Sequence, residues 1–174
     1  PSKPSLKQRY LQLLLLIIGS GTIYPVVYMR QNFEGSMLAS FDITRAQLGE
    51  CHSILGIVFF LTYLPSGWLS DKLPTRWLMS LSMAGTGLLA LWLSAAPDFA
   101  QIKLIFIGWG LTSGLTLWGA LIKGTSLLAP HDQQGRFFGL LESGRGLVEA
   151  LLATIGLAVF AYFLNSVGTS TSES

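Results

Sequence analysis

The chain is short of charge. Only 11% of its 174 residues are Asp, Glu, Lys or Arg, less than half the roughly 25% of a soluble domain. A net charge of +2 is too small to suggest a nucleic-acid partner. The single cysteine, Cys51, excludes an intrachain disulfide and leaves redox chemistry without a second thiol. Histidine is nearly as rare: His52 and His131 stand alone, and His131 falls in a loop. No metal-ligand spacing, phosphate-cradling glycine loop or nucleophile–base constellation occurs, so the residues point to no enzyme and imply no metal or cofactor. Apolar residues, by contrast, make up 51% of the chain, with a mean hydropathy of +0.54. The 19 glycines and five tryptophans are frequent in membrane helices and at their interfaces. This is the composition of an integral membrane protein, with the lipid bilayer as its first partner.

A spanning helix needs roughly 20 mainly apolar residues. Five segments qualify: about 10–29, 52–70, 77–96, 102–128 and 137–164. Polar punctuation separates them, as in "FDITRAQLGE" and "APHDQQGR". The fold class is therefore an all-α membrane bundle. Lys3, Lys7 and Arg9 before the first run resemble the n-region of a signal peptide. The run outlasts the usual ~7–15 residues and no small-residue cleavage site follows, so it reads as a retained helix. Lys3, Lys7, Arg9, Lys72, Arg76 and Arg136 collect on one side, and Arg45 and Lys103 on the other. The bias assigns residues 1–9 to the cytoplasm, 10–165 to the spans and 166–174 to a polar, disordered tail. Five is an odd count that leaves the tail outside, which suggests a piece of a larger transporter.

Charge inside an apolar run is expensive, about 2.5–3.5 kcal/mol per group on insertion scales, and marks function by default. Lys123, Glu142, Arg145 and Glu149 lie well within runs. The last three are spaced i, i+3, i+7 and share one helix face, with Arg145 near the midplane. One arginine cannot neutralise two carboxylates, so the second requires Lys123, a proton or a substrate group. Snorkelling to the interface is the plainer reading of Lys123, and a Lys123–Glu142 contact is geometrically allowed. Arg30, in "YMRQNFEG", is either the interfacial end of the first helix or a charge held at depth.

The second and third runs are joined by "GWLSDKLPTRW", residues 67–77. Gly67, Asp71, Lys72 and Arg76 resemble the signature loop of the major facilitator superfamily, with Pro74 or Thr75 where that family has a second glycine. Asp71 could accept hydrogen bonds from the first amides of the next helix, whose dipole favours an anion, and Arg76 could pair beside it. The resemblance implies that the five runs are helices of a six-helix half in a bacterial inner membrane. A second half-bundle is then missing, and this loop acts as a gate that breaks as the halves rock. Within the superfamily the chain looks most like the organophosphate:phosphate antiporters. "YMRQNF" then places Arg30 at a cavity-facing phosphate ligand, with helix one continuing through "NFEGSMLA" and Glu34 neutralising Arg30 when the site is empty. Arg145 falls at a substrate-contacting position of helix five. Lys123, Glu142 and Glu149 do not belong to that pattern, and two carboxylates repel a dianion. A sulfonate, carboxylate or sugar acid is tolerated more easily than a phosphate. The function implied is secondary transport of a small organic anion by alternating access. Proton-coupled symport through Glu142 or Glu149, and membrane sensing, remain as alternatives.

Overall fold

The computed structural model describes residues 5–170, and every regular element among them is a helix. Ser5 opens α1 (Leu6–Val27) by accepting from the Gln8 amide, while the Gln8 side chain accepts from the Ser5 amide. That reciprocal cap satisfies two amides that a helix start leaves unpaired. Thr44 and Gln47 repeat the device at the start of α3 (Arg45–Lys72). Between them, α2 (Arg30–Phe41) follows α1 after a break at Tyr28–Met29. Pro25, which lacks an amide proton, lies one turn before the break, and Phe33 is non-helical just beyond it. The first span therefore does not stop at Arg30. It runs from Leu6 to Phe41, as the antiporter resemblance implies and hydropathy alone does not.

The remaining elements are α4 (Thr75–Ser94), α5 (Phe99–Trp109), a π-helical segment (Gly110–Leu117), α6 (Trp118–Leu128), a short 3-10 turn and α7 (Gln134–Ser170). Together with α1, α2 and α3 they form, among the described residues, five helical stretches long and apolar enough to cross a bilayer. The last helix runs through part of the stretch expected to be a disordered tail, and residues 171–174 lie outside the described residues. We call the side of the bundle where α1 begins its near face, and the opposite side its far face.

Two close packings set the architecture. α1 and α7 run parallel in one register from end to end: Tyr10 stacks on Phe137, Ile17 meets Gly144, Gly21 meets Val148, and Phe33 meets Phe160. The fourth span (α5, the π segment and α6) lies against α3 so tightly that a methyl at Gly119 would overlap the Ser66 backbone. There the Gly119 amide donates to Ser66 Oγ at 2.9 Å. The fourth span carries the largest buried ring, Trp109, whose indole N–H donates to the Thr86 carbonyl of α4 at 3.2 Å. In the π segment, Ser113 and Thr116 return their hydroxyls to the carbonyls of Trp109 and Thr112. Such back-bonding competes with the regular ladder and accompanies bends.

Gly119→Ala is expected to destabilise the bundle by about 1–3 kcal/mol, the usual range for forcing a methyl into filled space. Gly87→Ala, where a methyl would meet nothing within 4 Å, should be neutral or stabilising because alanine is the better helix former. Thermal unfolding in detergent followed by circular dichroism checks the pair. Equal midpoints for the two variants would contradict the packing.

Candidate functional site

Arg145 sits where α7 closes on α1, between the Gly144–Ile17 and Val148–Gly21 contacts. Its guanidinium carbon lies 4.4 Å from the centre of the Tyr24 ring and 5.5 Å from that of Trp118. Those rings meet edge to face at 6.4 Å. Tyr24 stacks on Tyr28 at 5.5 Å, and Tyr63 of α3 reaches the Trp118 ring at 6.2 Å. Trp118 is the first residue after the π segment, so the changed helical pitch there decides which way its ring points. A guanidinium over aromatic faces is attracted by the ring quadrupole, the more so where water is scarce.

The donors of Arg145 are only partly used. Nη2 donates to Glu142 Oε2 at 2.7 Å, across one turn of α7. The arginine side chain is 15% exposed and its glutamate partner 52%. Nε and Nη1 are buried and meet no acceptor at full hydrogen-bond geometry, although the Tyr24 hydroxyl comes close enough to the guanidinium to interact with it. A guanidinium presents two two-pronged edges, Nε with Nη2 and Nη1 with Nη2. Whichever Nη2 hydrogen Glu142 takes, the other edge keeps both of its donors. Behind the rings, a void of about 10 Å³ bordered by Tyr24, Tyr28, Phe59 and Trp118 has room for about one water. Glu149, two turns beyond Glu142 on the same face, forms no ion pair among the described residues and lies within electrostatic reach of Tyr28.

Arg30 is not beside Arg145. The α1–α7 register sets Arg145 level with Ile18, so Arg30 lies about a dozen residues, roughly 18 Å, nearer the far face. It pairs with Glu34 at 3.8 Å, as the resemblance implies, and Glu34 also takes Arg45 from the start of α3 at 3.4 Å. One carboxylate thus holds two guanidiniums.

Lys123 is not at Glu142 either. α6 meets α3 at Gly119–Ser66, and one turn later Lys123 Nζ donates to the Ser70 carbonyl near the end of α3. The side chain faces α3 instead of α7 and ties down one of the carbonyls that a helix end leaves unpaired. The five expected binding residues thus fall at three levels: Lys123 near one face, Glu142, Arg145 and Glu149 in the middle, and Arg30 toward the other.

The loop between α3 and α4 also departs from expectation. α4 starts on Pro74, with no side-chain cap, and among the described residues Asp71 forms no ion pair with Arg76. Proline pre-sets the first helical turn, and α3 remains helical through Asp71 and Lys72, so the carboxylate is not carried to the α4 amides. The two cations take ring faces instead, Lys72 over Trp68 at 4.0 Å and Arg76 over Trp77 at 6.0 Å. Gly67 is open: a methyl there would meet nothing within 4 Å.

The profile of the Major Facilitator Superfamily matches residues 10–168. The chain is 35% identical over 157 residues to the inner membrane protein YihN of Escherichia coli (strain K12), covering 90% of this chain and 37% of that protein. It is 30% identical over 163 residues to the inner membrane protein YqcE of the same organism, covering 94% and 38%. A third relative, the uncharacterized MG294 homolog of Mycoplasma pneumoniae (strain ATCC 29342 / M129 / Subtype 1), is 29% identical over 164 residues, covering 84% and 34%. The chain therefore spans little more than a third of the length of these three relatives. No solved structure matches it.

The levels of Arg30 and Arg145 are separable by chemistry. In a Cys51→Ser background, a cysteine at position 30 should react with a membrane-impermeant thiol reagent applied to the far face, and one at position 145 should react far more slowly. Equal labelling at both positions, or labelling of position 30 from the near face, would contradict the placement.

Proposed function

The chain belongs to the Major Facilitator Superfamily, and on that premise we propose that it is part of a secondary transporter that moves a small organic anion. Organophosphates and sugar acids both fall in that class. Transport proceeds by alternating access around a midplane site, of which Arg145 is the principal ligand on this chain. The observation that carries the reading is the pair of buried Arg145 nitrogens that meet no acceptor at full hydrogen-bond geometry.

Buried polar groups are nearly always hydrogen-bonded, and each exception calls for a reason. Here the group is also a permanent cation, since arginine does not deprotonate in a protein. Aromatic faces and one exposed glutamate attenuate the charge but leave one two-pronged edge open. That edge matches the geometry of an oxyanion. Arg30, Glu34 and Arg45 would form the approach from the far face, with Arg30 as a second contact for the incoming anion. Lys123 and the Asp71–Arg76 loop would act at the near face, where helix ends shift as access alternates. The bias of lysine and arginine puts the near face in the cytoplasm, and the relatives' description as inner membrane proteins supports a bacterial inner membrane. A second half-bundle of the same transporter would wall the other side of the cavity.

Arg145→Lys separates a ligand from a structural cation. Lysine keeps the charge and the stem but loses the planar fork. Loss of a charge-assisted hydrogen bond at a desolvated site costs about 1.5–3 kcal/mol, so affinity for the transported anion should fall roughly ten- to hundredfold. Equilibrium binding to the reconstituted protein, with thermal stability measured in parallel, checks this. Affinity within about threefold of wild type, ~0.7 kcal/mol, would make Arg145 structural.

A further inference from the structure

We infer that the Arg145 site selects a monovalent carboxylate and discriminates against phosphate dianions. The inference rests on the reading of Arg145 as an anion ligand and adds which anion it takes.

Charge favours a monoanion. Glu142 and Glu149 share the Arg145 face of α7, so the cluster carries one cation and two carboxylates. Its distant neighbours do not correct this. Lys123 is engaged with the Ser70 carbonyl, and Arg30 with Glu34 toward the far face. A monoanion meets one open guanidinium edge and one unpaired carboxylate. A dianion meets the same edge but doubles the repulsion from Glu149, in surroundings where charges are poorly screened.

Shape favours a planar group. Rings cover Arg145 at 4.4 Å and 5.5 Å, so an incoming group is admitted at the guanidinium edge. A carboxylate places both oxygens in one plane and fills such an edge with two parallel hydrogen bonds. A phosphate or sulfonate carries a third oxygen outside that plane. The Tyr24 ring covers one side, with Trp118 edge to face beside it, so either that third oxygen or the carbon substituent must turn toward an aromatic face, the negative part of the ring quadrupole. Phosphate is thus disfavoured by charge and shape, and sulfonate by shape alone.

The test is a set of matched six-carbon sugars on the reconstituted full chain: the uronate, the 6-sulfonate, the 6-phosphate and the neutral hexose. They are titrated at pH 8, where the phosphate ester is a dianion, by isothermal calorimetry on wild type, Arg145→Lys and Glu149→Gln. We expect the uronate to bind at least tenfold more tightly than the phosphate, with the sulfonate between them. Arg145→Lys should lose uronate binding, and Glu149→Gln should narrow the uronate-to-phosphate ratio at least threefold. Phosphate binding as tight as uronate, and still dependent on Arg145, would overturn the selectivity while leaving the anion reading in place. A ratio unmoved by Glu149→Gln would overturn the charge argument. Binding of none of the anions, or binding indifferent to Arg145, would remove both the selectivity and the reading beneath it.

Discussion

A guanidinium inside a membrane bundle cannot escape its charge by losing a proton, and the packing around Arg145 follows from that constraint. Its stem needs room between two helices, which Gly144 and Gly21 supply by letting α1 and α7 approach closely. Its faces need matter more polarisable than lipid, which Tyr24 and Trp118 provide. One of its nitrogens needs a carboxylate, which Glu142 offers one turn away. What remains is an open edge with a permanent charge behind it.

The distant parts of the bundle serve that arrangement through position. The fourth span is locked to α3 at Gly119 and to α4 at Trp109, and the π segment between those two anchors sets the direction of Trp118. The first span bends at Tyr28–Met29, just beyond the tyrosines that line the site. Irregular backbone at membrane depth survives where protein or a cavity surrounds it. Both departures from regular helix flank the aromatic cluster. At either end, ionic ties of another kind close the bundle: Glu34 between two arginines, Lys103 on Glu50 at 3.3 Å, and Lys123 on a backbone carbonyl.

Much of this could be read from residue types, and what could not has identifiable causes. Hydropathy locates all five spans because length and apolarity are what the bilayer demands. It ends the first span too early because Gln31, Asn32 and Glu34 are polar, yet a helix inside a bundle needs only one face acceptable to lipid. Arg145 stands out as a charge where charge is costly. Its aromatic partners do not, because Tyr24, Tyr63 and Trp118 look like ordinary interfacial or core rings until the helices are assembled. Two tyrosines one turn apart in the first span, and a tryptophan two residues after the polar stretch "TSGLT" in the fourth, were the available signals. The partner of Lys123 was invisible for a different reason: it is a backbone carbonyl, and no pattern of residue types announces one. Asp71 does not cap α4 because α3 stays helical through Lys72 and α4 opens on Pro74.

The central claim is that one edge of the Arg145 guanidinium is held open for an anion. Side-chain nitrogen–proton NMR of arginine-labelled protein in nanodiscs reports on that edge directly, with the Arg145 signals assigned by their loss in Arg145→Lys. On addition of a hexuronate, the account predicts that an Arg145 Nε or Nη resonance shifts and its proton exchanges more slowly with water, as new hydrogen bonds close the free edge. Anion binding that leaves the Arg145 resonances where they were would contradict it.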